Sequence, residues 1–349
     1  MFKEEFIELL KCPSTGSKLS KDENFLINDN GHKYHFVQGI PVLISKKKTT
    51  LWVAEASYQS AIDRKEDEYH LDTLGLSKDW IEKLKEKIYF YKKSKNKEID
   101  PVVSYLIGAT SGWMYSHLIG TKLSRIPIPN FRLPPSDNNE LLLDVGCSWG
   151  RWSIAAALAG YRVIGVDPSL GAVLAASRIS KIFGVDHLIQ FVVGDATQLP
   201  IKDNAIDVYF SYSVLQHFSK RNFKTAIQEA SLACKEESCL MVQMPNALGI
   251  RSLYWLLKRG FREAHGFEVR YYFPFELVKK VESIFGPVKL SIDGILGLGI
   301  QPSDYDLMPF HKKLIIMFSE SYRYLAKFIP PLKFFADSLY IKSVRKRVF

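Results

Sequence analysis

The sequence predicts an α/β fold: a mostly parallel sheet with helices on both faces, preceded by a small α+β unit and followed by a helical, basic extension. Three observations predict it. Between residues 141 and 244, short apolar runs alternate with helix-prone segments. Residues 1–45 are turn-rich and end in the apolar run Gly39-Ile40-Pro41-Val42-Leu43-Ile44. Beyond residue 300, basic residues alternate with Leu, Ile, Phe and Tyr. The expected boundaries are 1–48 for the small unit, 49–135 for a helical cap and linker, 136–300 for the sheet domain and 301–349 for the extension.

Taken in order, Lys46-Lys47-Lys48 separates the small unit from a charged, helix-prone stretch at 50–98. The segment 126–135 carries four prolines, cannot sustain a helix, and reads as a linker. Leu141–Val145 is an apolar run of the kind buried on both faces of a parallel sheet. Residues 151–159 are alanine-rich and helical, and 162–166 form a second apolar run. A helix over 170–183, a strand over 188–193 and a strand over 205–211 follow. Then come a helix over 222–234, a strand over 238–244, an irregular stretch to 272, a helix over 275–285 and a strand over 288–292. Alternation of this kind implies right-handed crossovers between parallel strands.

Composition narrows the class. The 349 residues are 47% hydrophobic and 24% charged, ordinary for a globular protein able to bury a large core. No basic-then-apolar leader is expected, since Lys3, Glu4, Glu5 and Glu8 fall within the first ten residues. Cys12, Cys147, Cys234 and Cys239 have no framework spacing, which points to a reducing, cytoplasmic setting. Residues 101–121 carry no Asp, Glu, Lys or Arg, but serines, His117 and three glycines interrupt the run, so a buried or site-covering segment is expected rather than a membrane span. The net charge is +10, and residues 311–349 hold nine Lys and Arg against Glu320 and Asp337. Such a tail suits phosphate, on a membrane surface or on RNA, or else is simply a solvated helix face.

Ligands of an open parallel sheet bind beyond the carboxyl ends of its strands. The first of these strands runs into Asp144-Val145-Gly146-Cys147-Ser148-Trp149-Gly150, where small residues let the backbone turn sharply against a nucleoside. The second ends at Asp167, followed by Pro168, and its carboxylate can accept both ribose hydroxyls. The third ends in Gly194-Asp195-Ala196, where an acid can accept from an adenine amino group. The fourth leads through Ser211 and Tyr212 to Gln216 and His217. Each piece alone is weak, and the joint occurrence at successive strand ends carries the reading. A nicotinamide dehydrogenase would need a further glycine where Arg151 and Ser153 stand, and would leave Asp195 unexplained.

Residues 141–217 resemble the class I S-adenosylmethionine-dependent methyltransferases, in particular the large group acting on small molecules, lipids and glycans. The resemblance extends over about 138–296 and implies a Rossmann-like core. It assigns the glycine loop to Asp144, Gly146, Cys147, Ser148 and Gly150, with Ser148 replacing a glycine, the ribose acid to Asp167, and the adenine side to Asp195 and Ala196. Leu9-Leu10-Lys11-Cys12-Pro13 with the run 39–43 is similar to the zinc-ribbon family of tRNA-methyltransferase activators. A structural zinc site needs four ligands. Here Thr15 holds the second cysteine position and only His32 and His35 could assist Cys12, so a metal-free unit is expected.

The sulfonium already activates its methyl group, so the protein must chiefly position an acceptor and exclude water. A general base is needed only for a hydroxyl or a protonated amine. His217 is the candidate base, with Tyr212 and Gln216 lining the same pocket and His265 a further acceptor-side residue. His217 reads equally well as a histidine packed on Phe218. Cys147 is expected to pack rather than to act as a nucleophile. The expected activity is methylation of a small-molecule, lipid-linked or glycan acceptor. RNA methylation and a non-catalytic cofactor-binding scaffold are the alternatives. The first of these lacks the Asn-Pro-Pro-Tyr or Asp-Pro-Pro-Tyr loop that stacks a flipped base.

Overall fold

The computed structural model describes residues 2–45, 51–63, 67–94, 99–110, 113–136, 139–296 and 299–346. Lys46–48 and Arg347 lie outside the described residues. The chain folds as two units that meet in sequence at Ala205 and Ile206.

The first unit begins with α1 (Phe2–Glu8) and the strands β1 (Leu19–Asp22), β2 (Phe25–Asn28), β3 (Lys33–Val37) and β4 (Ile40–Leu43). Helices α2 (Trp52–Ile62), α3 (Lys78–Lys93) and α4 (Pro101–Thr110) follow. The alternating core is β5 (Leu141–Val145), α5 (Arg151–Leu158), β6 (Arg162–Asp167), α6 (Leu170–Ile182) and β7 (Ile189–Gly194). Within this unit the strand order is β1-β2-β3-β4-β7-β6-β5. Strands β5, β6 and β7 pair in parallel, and every residue of β5 is buried, as its unbroken apolar run requires.

The N-terminal strands form an antiparallel meander, and β4 continues the sheet by pairing in parallel with β7 at Val42↔Val193 and Leu43↔Gly194. The small unit expected to end at residue 48 is thus built into the sheet rather than set apart from it. The first turns of the charge-free stretch are buried: Val102, Val103, Leu106 and Ile107 of α4 lie in the core. Asp100, itself buried, ties it to α6 through Arg178 at 2.5 Å. Among the described residues no helix is long and apolar enough to cross a membrane.

The second unit contains β8 (Ile206–Tyr212), α7 (Lys220–Ala233), β9 (Cys234–Pro245), α8 (Ile250–Lys258), α9 (Pro274–Glu282), β10 (Val288–Gly294), α10 (Phe310–Leu325) and β11 (Ser338–Val344). Its strand order is β8-β9-β11-β10, with β8 and β9 parallel and β11 antiparallel to both neighbours. The helical extension expected over 301–349 contains α10 but ends differently, in a strand. Residues 338–344 are an interior strand, paired along their length between β9 and β10. Leu339, Tyr340 and Ile341 are buried, and the partners that stabilise them come from segments about 50 and 100 residues earlier.

Candidate functional site

In the first unit, the glycine loop turns by three residues in the left-handed region: Gly146 at φ +79°, Ser148 at +47° and Gly150 at +81°. Gly150 is required twice over, because a Cβ there would also sit 2.9 Å from the Ala176 Cβ. Ser148 bears the left-handed conformation at a cost of about 1–2 kcal/mol for an L-residue. Its backbone N–H donates to Asp167 Oδ2 at 2.9 Å, which explains why the strained turn persists. Gly146 and Cys147 both donate their N–H to the Val166 carbonyl, so the loop is stitched to the end of β6.

Three acids stand at the ends of β5, β6 and β7. Asp144 is buried and accepts from the Ser153 hydroxyl at 2.6 Å. Burial pushes its carboxyl up to about 7, against the pull of the Ser153 bond. Asp167 is likewise raised to about 6 by burial, moderated by N–H bonds from Ser169 and Ser148 to its two oxygens. Asp195 accepts the Thr197 N–H and hydroxyl on one oxygen, at 2.8 and 2.7 Å. Ala196 beside it is buried. Burial and the two neighbouring acids drive the Cys147 thiol far above its ordinary range. A neutral thiol packed under the loop is no nucleophile.

Residues that the sequence reading missed hold this arrangement from outside. Ser57 on α2 donates to the Pro168 carbonyl at 2.7 Å and accepts from the Leu170 N–H at 3.0 Å. Thr73 accepts from the Gly171 N–H at 2.7 Å. Together with the Ser169 cap on Ala172, these bonds fix the start of α6 beside Asp167. Arg151, buried just after the loop, donates to the Tyr115 hydroxyl at 3.0 Å.

The set fits an adenosine-bearing sulfonium. Among the described residues the Ser148 hydroxyl is buried with no hydrogen-bond partner, an orphan at the loop where a nucleoside cofactor would lie. Each Asp167 oxygen keeps acceptor capacity beyond its one backbone bond, as ribose hydroxyls require.

In the second unit, Ser211 is buried in β8 and Tyr212 ends the strand. The Tyr212 hydroxyl donates to Asp293 Oδ2 at 2.7 Å. Asp293, on β10, also accepts from the Ser338 hydroxyl at 2.7 Å, and Ser338 in turn bonds Gln243, whose Oε1 accepts from Ser213 at 2.8 Å. Sequence reasoning found Tyr212 but not Asp293, 81 positions further on. No local motif marks it.

His217 is held rather than free. Its Nδ1–H donates to the Phe267 carbonyl at 2.7 Å, its ring stacks on Phe267 at 4.0 Å, and its Nε2 faces the Gln216 amide at 3.2 Å. Burial, reinforced by the Arg270 charge, lowers its pKa to about 4 despite the Phe267 bond. The imidazole is therefore neutral at physiological pH. His265 belongs to the same loop, and its backbone N–H donates to Glu268.

At the N-terminal unit, the Cys12 sulfur lies 3.1 Å from the Ser14 and Tyr34 hydroxyls and 3.2 Å from the Asn28 amide. The His32 ring bonds to Ser14 and Asn28, and His35 packs edge-on against Phe25. Among the described residues no group of three metal-ligating side chains assembles.

Residues 142–237 match the family described as a methyltransferase domain. The norajmaline N-methyltransferase of Rauvolfia serpentina is 32% identical over 84 residues, spanning 24% of this chain and 29% of that enzyme. The chain thus matches under a third of that relative's length. Among solved structures, the YcgJ protein of Bacillus subtilis is 18% identical over 60% of this chain and 93% of its own, with a TM-score of 0.41. Phosphoethanolamine N-methyltransferase 2 of Haemonchus contortus, solved with S-adenosyl-L-methionine, is 14% identical over 74% and 60%, with a TM-score of 0.41. The parallel strands, the acids at their ends and the family match agree on one class over residues 142–237, where the chain matches a methyltransferase domain.

Proposed function

We propose that the chain transfers the methyl group of S-adenosylmethionine to a nucleophilic atom of a small-molecule, lipid-linked or glycan acceptor. The observation that carries the donor side is the Asp144, Asp167 and Asp195 series at successive strand ends around a loop with an orphaned Ser148 hydroxyl, while the acceptor class rests on the subgroup resemblance. When bound, the cofactor supplies an activated methyl on a sulfonium. Asp167 and Asp195 would hold the nucleoside of that group, and the Gly146–Gly150 turn would admit it closely.

The loop after β8 is the segment the family resemblance assigns to the acceptor. There, Tyr212 and Asp293 can relay a proton from an acceptor hydroxyl or ammonium: the phenol oxygen takes it and passes its own proton to the carboxylate. His217, neutral and tied to Phe267, holds the 265–272 loop, and its Nε2 is already engaged by the Gln216 amide.

The test is calorimetric titration of the full chain with S-adenosylmethionine, followed by S-adenosylhomocysteine release on adding fractionated lipid and glycan extracts. Binding with turnover on such a fraction supports the reading. No binding overturns it, and turnover on RNA alone redirects the acceptor class.

A further inference from the structure

In the second unit, two amphipathic helices face the wrong way for a water-soluble surface. On α10, Lys312, Ile316 and Ser319 are buried, while Phe310, Leu314, Met317, Phe318 and Leu325 are exposed. The exposed residues recur at intervals of three, four and seven, so they form one stripe on the side of the helix opposite the buried one. Phe328 extends the stripe past the helix end. Phe310 is 74% exposed and Phe328 68%.

Helix α8 repeats the arrangement. Ser252 is buried, while Ile250, Tyr254 and Leu257 and, beyond the helix, Phe261 line the outer face, with Leu257 64% exposed. An outward apolar stripe of this size leaves hydrocarbon in water, which soluble surfaces avoid.

Both helices are rooted at the same edge of this unit's sheet. The register Gly294↔Ser338↔Pro245 brings the end of β10, the start of β11 and the end of β9 side by side. Asp337 fastens that edge: one carboxylate oxygen accepts the Arg251 N–H at the start of α8, the other the Leu296 N–H, both at 2.6 Å. The adjoining Ile295 N–H donates to Ser319 of α10 at 3.1 Å. Asn246 completes the joint by donating to the Phe334 and Ala336 carbonyls at 2.8 Å.

The charge around the stripes selects the occupant. Residues 250–259 hold Arg251, Lys258 and Arg259 and no acid, while Arg262 beyond them is paired with Glu268 at 2.6 Å. Residues 310–335 add Lys313, Lys327 and Lys333 to the outer side, Lys312 being buried and Arg323 paired with Glu320. Lys258 sits 4.9 Å from the Trp255 ring centre, Lys327 5.6 Å from Tyr324 and Lys333 5.3 Å from Phe334. A second copy of the chain would bring cations against cations. Nucleic acid would meet the cations but leave Leu, Ile, Met and Phe in water. An anionic bilayer complements both: lipid phosphates meet the cations, acyl chains receive the aliphatic and phenyl groups, and Trp and Tyr favour the headgroup level.

We infer that α8 and α10 together dock the second unit onto an anionic membrane surface, without crossing it. The inference is independent of methyl transfer, because docking is read without donor or acceptor. The full chain is sedimented with phosphatidylcholine vesicles, with and without phosphatidylglycerol. It is expected to pellet with the mixed vesicles, less at high salt, and weakly with phosphatidylcholine alone. The pairs Leu314→Ser with Phe318→Ser, and Tyr254→Ser with Leu257→Ser, should each weaken vesicle binding at least ~10-fold. Their unfolding midpoints should not fall, because the replaced groups are solvent-exposed. A chain that stays in the supernatant overturns the inference, as does equal pelleting of the variants. So does a dimer in light scattering that the same substitutions dissociate, or retention of an RNA oligomer that those substitutions abolish.

Discussion

The Tyr212 hydroxyl donates to the Asp293 carboxylate at 2.7 Å, joining the end of β8 to the end of β10 across 81 positions of chain. Ser338 donates to the same carboxylate oxygen, so the tyrosine is held in one orientation. A phenol in this setting can take up an acceptor's proton while the carboxylate receives its own.

Asp293→Asn keeps both hydrogen bonds in reach but removes the proton sink. It should lower kcat by roughly 10²–10³, in the range seen for loss of a general base, and leave donor affinity unchanged. Tyr212→Phe should act in the same direction, and the double variant should be little worse than either single one. Single-turnover rates with calorimetric binding separate these effects. Unaltered kcat in Asp293→Asn would confine the pair to a structural role.

Asp167 links donor binding to pH. Burial holds its carboxyl at about 6, well above the ordinary 3.8, and hydroxyl donors of a ribose prefer its ionised form. Affinity for S-adenosylmethionine should therefore be full above pH 7 and fall by up to ~10-fold per unit below 6. Asp167→Asn should bind weakly at every pH and lose that slope. Asp167→Ala should cost at least ~100-fold, two charge-assisted bonds being at stake. Calorimetry between pH 5 and 8 decides it.

The glycine loop separates stability from binding. Ser148→Gly relieves left-handed strain and removes a buried orphan hydroxyl, partly offset by glycine's chain entropy. The net should be about 1 kcal/mol, or about 2 °C in the thermal midpoint, with donor affinity reduced if the hydroxyl is a cofactor contact. Gly150→Ala should instead cost about 2–3 kcal/mol, through positive φ and the 2.9 Å approach to Ala176.

These residues differ in how far the sequence announced them. Asp144, Asp167 and Asp195 were legible because each ends a short strand buried on both faces, and such strands write themselves as unbroken apolar runs. Asp293 was not, because its meaning lies in a partner on another strand. β11 was misread for a related reason: Ser-Leu-Tyr-Ile-Lys-Ser-Val is too short to distinguish strand from helix, and only pairing with β9 and β10 decides it. Ser57 and Thr73 carry no signal at all, since a hydroxyl capping a distant helix looks like any other. In α10 the apolar period was visible, but a period does not say whether its stripe faces core or solvent.

His217 offers a test that does not require the acceptor. Its pKa in the folded protein is about 4 against an ordinary 6.5, because burial disfavours the imidazolium. The unfolded chain therefore binds a proton that the folded chain refuses. The resulting contribution to stability is complete above 6.5 and is lost progressively as pH falls toward 4. Asp144 and Asp167 act in the opposite sense over pH 4–7, since burial raises both. The informative quantity is thus the difference between wild type and His217→Phe, which keeps the stack on Phe267 but cannot titrate. Above pH 7 the variant should be less stable by about 1 kcal/mol, for the lost Phe267 bond. That deficit should shrink and then reverse as the pH falls through 6.5 toward 4. A deficit independent of pH in denaturant titrations would show that His217 is not held neutral.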